Sequence, residues 1–282
     1  MPQRSYDTWT AWLAYVTGPS ELADAERASR QRDERFTSTK TWDDALRLAR
    51  HGWREGAAMT RAYAQALTTR IVGRVEREDL VYDVEGMGYD VARLLDGAPE
   101  HWQRWQPTGD SEDRAGNRLI RVLMNASVSC GVPTRTIVAR GAACCALVEL
   151  LEYAGARVQL DVTWPCTGYS ISEVLTHLVC VKRFAAPLDM STVAFAVAHP
   201  SALRRLVFSA QEREAAAVRS AYGVPKGGYG IPAEVPPAER GKGTLYVPCA
   251  STADGDWNDA NATERWVLEQ LRTQGVTVTD AR

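Results

Sequence analysis

Apolar positions in the first third of the chain recur at helical spacing. Tyr6, Trp9, Trp12, Leu13, Tyr15 and Val16 predict a short packed helix, and Ala58, Met59, Ala62, Tyr63, Ala66 and Leu67 predict a longer one over about 55–71. Between them, Thr41 followed by Trp42, Asp43 and Asp44 marks a helix start with acids at its positive end, and Gly52 marks its stop. Residues 21–35 alternate in charge with few large apolar side chains, the pattern of a solvated helix or a flexible tether. Leu80–Val84 predicts a strand, and 86–95 a loop entering a short helix.

A polar stretch at 101–116 is the best internal boundary, and beyond it the pattern changes. Leu119–Met124 is a nearly continuous apolar run, as in a strand buried on both faces. Residues 134–153 predict a helix apolar almost all round, with Gly155 at its end. Val158, Leu160, Val162 and Trp164 alternate with Arg157, Gln159, Asp161 and Thr163, which predicts a half-exposed strand. Val174–Lys182 follows after a short link, so it should pair antiparallel with that strand. Residues 188–217 predict helix broken at His199-Pro200, 223–242 a Gly/Pro-rich loop that reads as a flexible gate, 244–249 a strand, 262–274 a helix and 275–279 a last strand.

Composition narrows the function classes. Thirty-three basic against thirty-five acidic residues leave a net charge of −2, without the basic excess that would make nucleic acid the first partner to consider. No run of about 18 apolar residues and no secretory leader is present, which excludes a membrane partner and implies a cytoplasmic setting. The six cysteines (Cys130, Cys144, Cys145, Cys166, Cys180, Cys249) contain no C-x-x-C and read mostly as small buried hydrophobes. The pairs Lys182-Arg183 and Arg204-Arg205, with Arg213 and Arg219, read as solvated helix surface. His199 reads as a helix-end hydrogen bonder.

Open α/β sheets bind ligands beyond the carboxyl ends of their strands, where the chain order reverses. Two polar segments fall there: Asn125-Ala-Ser127-Val-Ser129 and Ser251 to Asp259. The first resembles the D-x-S-x-S turn of the von Willebrand factor A-like fold. That resemblance implies a Rossmann-like open sheet with helices on both faces over 116–282, on which a mostly helical region, 1–115, packs. It also implies a divalent-cation site at Asn125, Ser127, Ser129, Asp254 and Asp256, with Ser191 or Thr192 supplying a second-loop hydroxyl. Mg²⁺ suits such oxygen donors. Asn125 stands where the family has an acid and removes a charge from the site, so the residues also read simply as strand caps that satisfy backbone groups.

Over about 36–280 the segments Phe36–Gly56, Asn125–Val132 and Ala194–Pro200 resemble an uncharacterised domain-of-unknown-function family of bacteriophages and bacteria. The expectation is a phage-related, non-enzymatic interaction module in the host cytoplasm or on the virion. It would bind a partner protein at the carboxyl edge of the sheet, with a weak Mg²⁺ site as an optional link. A metal-assisted hydrolase at the same site and an RNA-associated protein are the alternatives, and no residue is assigned a catalytic role.

Overall fold

The apolar run that opens the α/β half becomes the centre of a sheet. A computed structural model describes residues 3–71, 78–84, 88–107, 118–169, 171–225, 228–250, 257, 259–276 and 278. In chain order its elements are β1 (Gln3–Tyr6), α1 (Trp9–Thr17), α2 (Trp42–His51), α3 (Arg54–Ile71), β2 (Glu78–Asp83), β3 (Gly88–Tyr89), β4 (Trp102–Pro107), β5 (Leu119–Asn125) and α4 (Thr134–Tyr153). They continue with β6 (Arg157–Thr163), β7 (Cys166–Thr167), β8 (Val174–Lys182), α5 (Met190–Ala198), a π-helical turn (Ala202–Val207) that runs into α6 (Phe208–Glu212), β9 (Ile231–Pro232), β10 (Leu245–Val247) and α7 (Ala260–Thr273). Short helical turns at 28–31, 34–37, 91–95 and 216–221 complete the main helical segments.

The main sheet runs in the order β10-β5-β6-β8, with β10, β5 and β6 parallel and β8 antiparallel to β6. β1 joins its far edge parallel to β8, a strand the aromatic opening of the chain did not announce. β7 prolongs the line of β6 along β8, and β9 pairs with β7 on its other side, just beyond the carboxyl end of β5. Trp102–Pro107, expected as a boundary, is instead the middle strand of a separate three-stranded sheet, β2-β4-β3.

Alternation sorts the main sheet into two faces. Ile120, Val122, Met124, Val158, Leu160 and Val162 belong to one core, to which α1 to α7 all contribute side chains. In α4 every residue from Ile137 to Leu151 except Glu149 is buried, and each fully buried leucine there contributes about 2 kcal/mol. Trp12 of α1 stacks on Trp164 with centroids 5.0 Å apart. The helices flank the sheet chiefly over this face, because the other face carries Arg121, Gln159 and Asp161 and offers no apolar stripe to a helix. Asp161 is 2% exposed and paired with Arg121, so β6 is buried on both sides at its carboxyl end rather than half-exposed throughout.

Local signals for α2 hold in detail. Thr41 and Asp44 form a reciprocal capping box, and Gly52 ends the helix with φ +80°. The charged segment after α1 is neither solvated helix nor tether. Arg27 and Ser29 are buried within it, and Arg205, fully buried, donates to the carbonyls of Ser29, Arg32, Thr39 and Lys40 and to Thr39 Oγ1. Ionic hydrogen bonds from partners more than 160 residues away order a stretch whose apolar surface is too small to do so. The expected final strand falls partly outside the described residues; Gly275, at φ +68°, follows the end of α7.

Candidate functional site at the carboxyl edge

The turn after β5 meets the end of the β10 segment at Ala250, and residues 251–256 beyond it lie outside the described residues. Val128 bridges Ala250 in parallel, Ala250 N donates to Ser127 O, and Ser129 N donates to Ala250 O. Asn125 is fully buried between them: its Nδ2 donates to Ala233 O (2.8 Å) and to Tyr246 Oη (2.9 Å), while its Oδ1 accepts from Ser127 N (3.0 Å). Ser127 Oγ donates to Pro165 O (2.9 Å). Tyr246 Oη in turn donates to Glu234, so the Gly/Pro-rich loop is tied to the strand end rather than left as a free gate.

Asn125, Ser127 and Ser129 do not by themselves offer Mg²⁺ a set of free oxygen donors. The amide oxygen and the Ser127 hydroxyl are engaged with the protein itself, and the carboxylate described nearest them, Glu234, accepts from Tyr246 Oη and Cys249 N. Asp254 and Asp256 lie outside the described residues. Ser191 and Thr192 sit at the other end of α5, capped by Asp189, whose Oδ2 accepts from Thr192 Oγ1. Among the described residues no group of three or more His, Cys, Asp or Glu converges to hold a metal ion.

What the edge does hold is a cavity of about 300 Å³, partly open to solvent. Ser127, Ser129 and Trp164 line it from the sheet, and Gly228 to Pro232 line it from the loop. Its aromatic lining is continuous: Phe36 and Phe208 lie 6.4 Å apart, and Phe208 stacks on Tyr229 at 3.8 Å. Gly230, at φ +78°, lets this loop approach, since a Cβ there would stand 2.7 Å from Thr167 O and 2.9 Å from Cys166.

Two polar groups converge on this apolar pocket. Arg204, 8% exposed, spans it from the π-helical turn, donating to Phe36 O (2.8 Å) with its guanidinium 4.4 Å above the Phe36 ring. It has no carboxylate in ion-pair range among the described residues, and burial pulls its pKa below the usual arginine value. Gln211, 3% exposed, donates through Nε2 to Cys166 Sγ (3.2 Å), and its Oε1 accepts no hydrogen bond. Burial pushes the Cys166 thiol up to about 12, which leaves it a poor nucleophile. Exposed Arg32 adds a second positive charge at the pocket.

Glu212 anchors the far side of this wall. Fully buried, it accepts from Tyr229 Oη (2.5 Å), Ser29 Oγ (2.5 Å), Ser29 N (2.9 Å) and Arg27 Nε (2.9 Å). Thus Tyr229, on one wall of the cavity, and the charged N-terminal segment are held by one carboxylate. The basic pairs do not form a solvated face: Arg183 is exposed, but Lys182 is buried against Glu152 and the Val158 carbonyl, and Arg204 and Arg205 are buried. Cysteines 144, 145 and 166 are buried, whereas Cys130 is exposed beside the pocket. His199 does cap the end of α5, its Nδ1 accepting from Ser201 N.

Sequence reasoning pointed to this edge but did not select Arg204, Gln211, Phe36 or Tyr229 as lining residues. The available signal was Arg204-Arg205 and Gln211-Glu212 set among Ala, Leu, Val and Phe, where a solvated helix would show a polar stripe rather than isolated charges. The π-helical turn that carries Arg204 is a form of helix common at functional sites. A family model described as Domain of unknown function (DUF7192) matches residues 2–278. No curated protein and no solved structure matches the chain.

Proposed function

From the premise that the chain belongs to the DUF7192 family along nearly its whole length, we propose that it is a non-enzymatic interaction module whose partner docks at the carboxyl edge of the main sheet. The observation that carries this reading is the aromatic cavity beyond β5, where a buried guanidinium has no acidic partner among the described residues. A buried charge left without a counter-charge is costly, and a partner's anion removes that cost on binding. The hydrolase alternative gains nothing from the described lining, which contains no Asp or Glu.

The finer fold reading is a von Willebrand A-type sheet. It draws support from β5 standing between β6 and β10, with antiparallel β8 next, and from the Asn125-x-Ser127-x-Ser129 turn at the end of β5. A phage setting draws on the motif resemblance alone. In this reading the partner engages the cavity directly and Mg²⁺ plays no part.

The test is selection of binding peptides from a random library displayed with free carboxyl ends, using the full chain as bait and Ser129→Trp as control. Peptides enriched on the wild type and lost with the tryptophan support the reading. Absence of enrichment, or equal capture by both chains, refutes it.

A further inference from the structure

The cavity's chemistry narrows what can enter it. Its volume of about 300 Å³ is at the small end for ligand pockets, room for one residue-sized group. Phe36, Trp164, Phe208 and Tyr229 offer ring faces and edges, suited to a flat apolar body. Arg204 presents a planar cationic fork held by the carbonyls of Phe36 and, at 3.5 Å, Cys130, so it is aimed before any ligand arrives. Gln211 Oε1, buried and unpartnered, asks for an N–H or O–H donor.

Three demands therefore fall on one small occupant: an aromatic ring, an anion and a donor. Within a polypeptide interior, an aromatic side chain and a carboxylate belong to two different residues, and the cavity has room for one. Among unmodified polypeptide residues, a carboxyl-terminal one joins a ring, a carboxylate and an amide N–H on a single unit. We propose that the cavity captures the carboxyl-terminal aromatic residue of a partner protein: ring among Phe36, Phe208 and Tyr229, carboxylate on Arg204, backbone N–H to Gln211 Oε1. This rests on the docking reading above and specifies its ligand. Capture of a chain end by positioned donors is an established mode of peptide recognition. Arg32, exposed at the pocket, adds to the attraction for that end.

The experiment titrates the full chain with short peptides ending in Phe, as free acid and as carboxamide, and with N-acetylphenylalanine, reading tryptophan fluorescence and calorimetric heat. The expected result is that the free acid binds at least tenfold more tightly than the carboxamide. Arg204→Lys, which keeps the charge but loses the fork, should weaken the acid several-fold and leave the carboxamide unchanged; Gln211→Leu should weaken both. Circular dichroism and an unchanged melting temperature certify that each variant is folded. Equal affinity for acid and carboxamide overturns the inference while leaving the docking edge intact. N-acetylphenylalanine binding as tightly as the peptide also overturns it, since the ligand is then a free small molecule rather than a chain end. If none of the three binds, both the inference and the docking reading fail.

Discussion

Replacing Glu212 by Gln tests the junction that joins the N-terminal segment to the cavity wall. The carboxylate is fully buried and takes four hydrogen bonds, one from the nearly buried guanidinium of Arg27. Gln keeps the shape, and the Tyr229 and Ser29 hydroxyls can turn to accept from its NH₂. The Ser29 N–H cannot turn, and Arg27 loses its buried counter-charge. Asp24 remains 3.2 Å from Arg27, but it is 75% exposed and screened by water. An orphaned buried N–H costs about 1–3 kcal/mol, and breaking a buried ion pair about 3–5. Allowing for Asp24, the expected loss is about 3 kcal/mol. Urea unfolding should show it as a lower midpoint at unchanged slope. Tyr229→Phe removes one hydrogen bond to the same carboxylate and the acceptor of Ala28 N, and should cost about 2–3 kcal/mol. Because both variants act on one carboxylate, the double variant should fall short of their sum. A loss below about 1 kcal/mol for Glu212→Gln would refute the claim that this carboxylate organises the segment.

Two further outcomes follow from the same structure. His177 and His199 are buried and pushed down from 6.5 to about 4 by desolvation; His177 faces Glu214 at 3.7 Å and the Arg4 that pairs with it. A folded value below the unfolded one means protonation favours the unfolded chain. Stability should therefore be complete above about pH 6.5 and fall toward pH 4, by roughly 1.4 kcal/mol per pH unit for each histidine. His177→Gln should remove one such increment from the slope measured by denaturation at stepped pH, and an unaltered slope would assign the acid limb to other groups. Asn125→Asp places a carboxylate against the Ala233 carbonyl and should cost about 2–4 kcal/mol. Millimolar Mg²⁺ should not restore the melting temperature; a metal-dependent rise would show that this turn still builds a cation site.

Much of the architecture was legible in local pattern. The Thr41 cap with Asp44, the all-round apolar 134–153 helix, the antiparallel partner over Val174–Lys182 and the break at His199-Pro200 each rest on interactions between near neighbours, or on a periodicity that any burial imposes. The carboxyl edge as a meeting place also followed from the order of elements, through the rule that parallel strands put their ends on one side. The recruitment of Gln3–Tyr6 as an edge strand beside β8 was not legible, because its pairing partner lies some 170 residues later.

What the chain alone determined, then, was where helices and strands form and which edge is polar, since spacing and capping act over a few residues. Tertiary structure decided which polar groups are consumed and which are left free. Asn125 and Ser127, the residues a motif would select, spend their hydrogen bonds on the Ala233 and Pro165 carbonyls, on Tyr246 and on their own turn. Arg204 and Gln211, inconspicuous in sequence, end beside a cavity, the first with no carboxylate partner among the described residues and the second with an unmatched acceptor. Satisfaction of a buried polar atom depends on every group within about 3 Å of it, and those groups come from segments that only folding brings together.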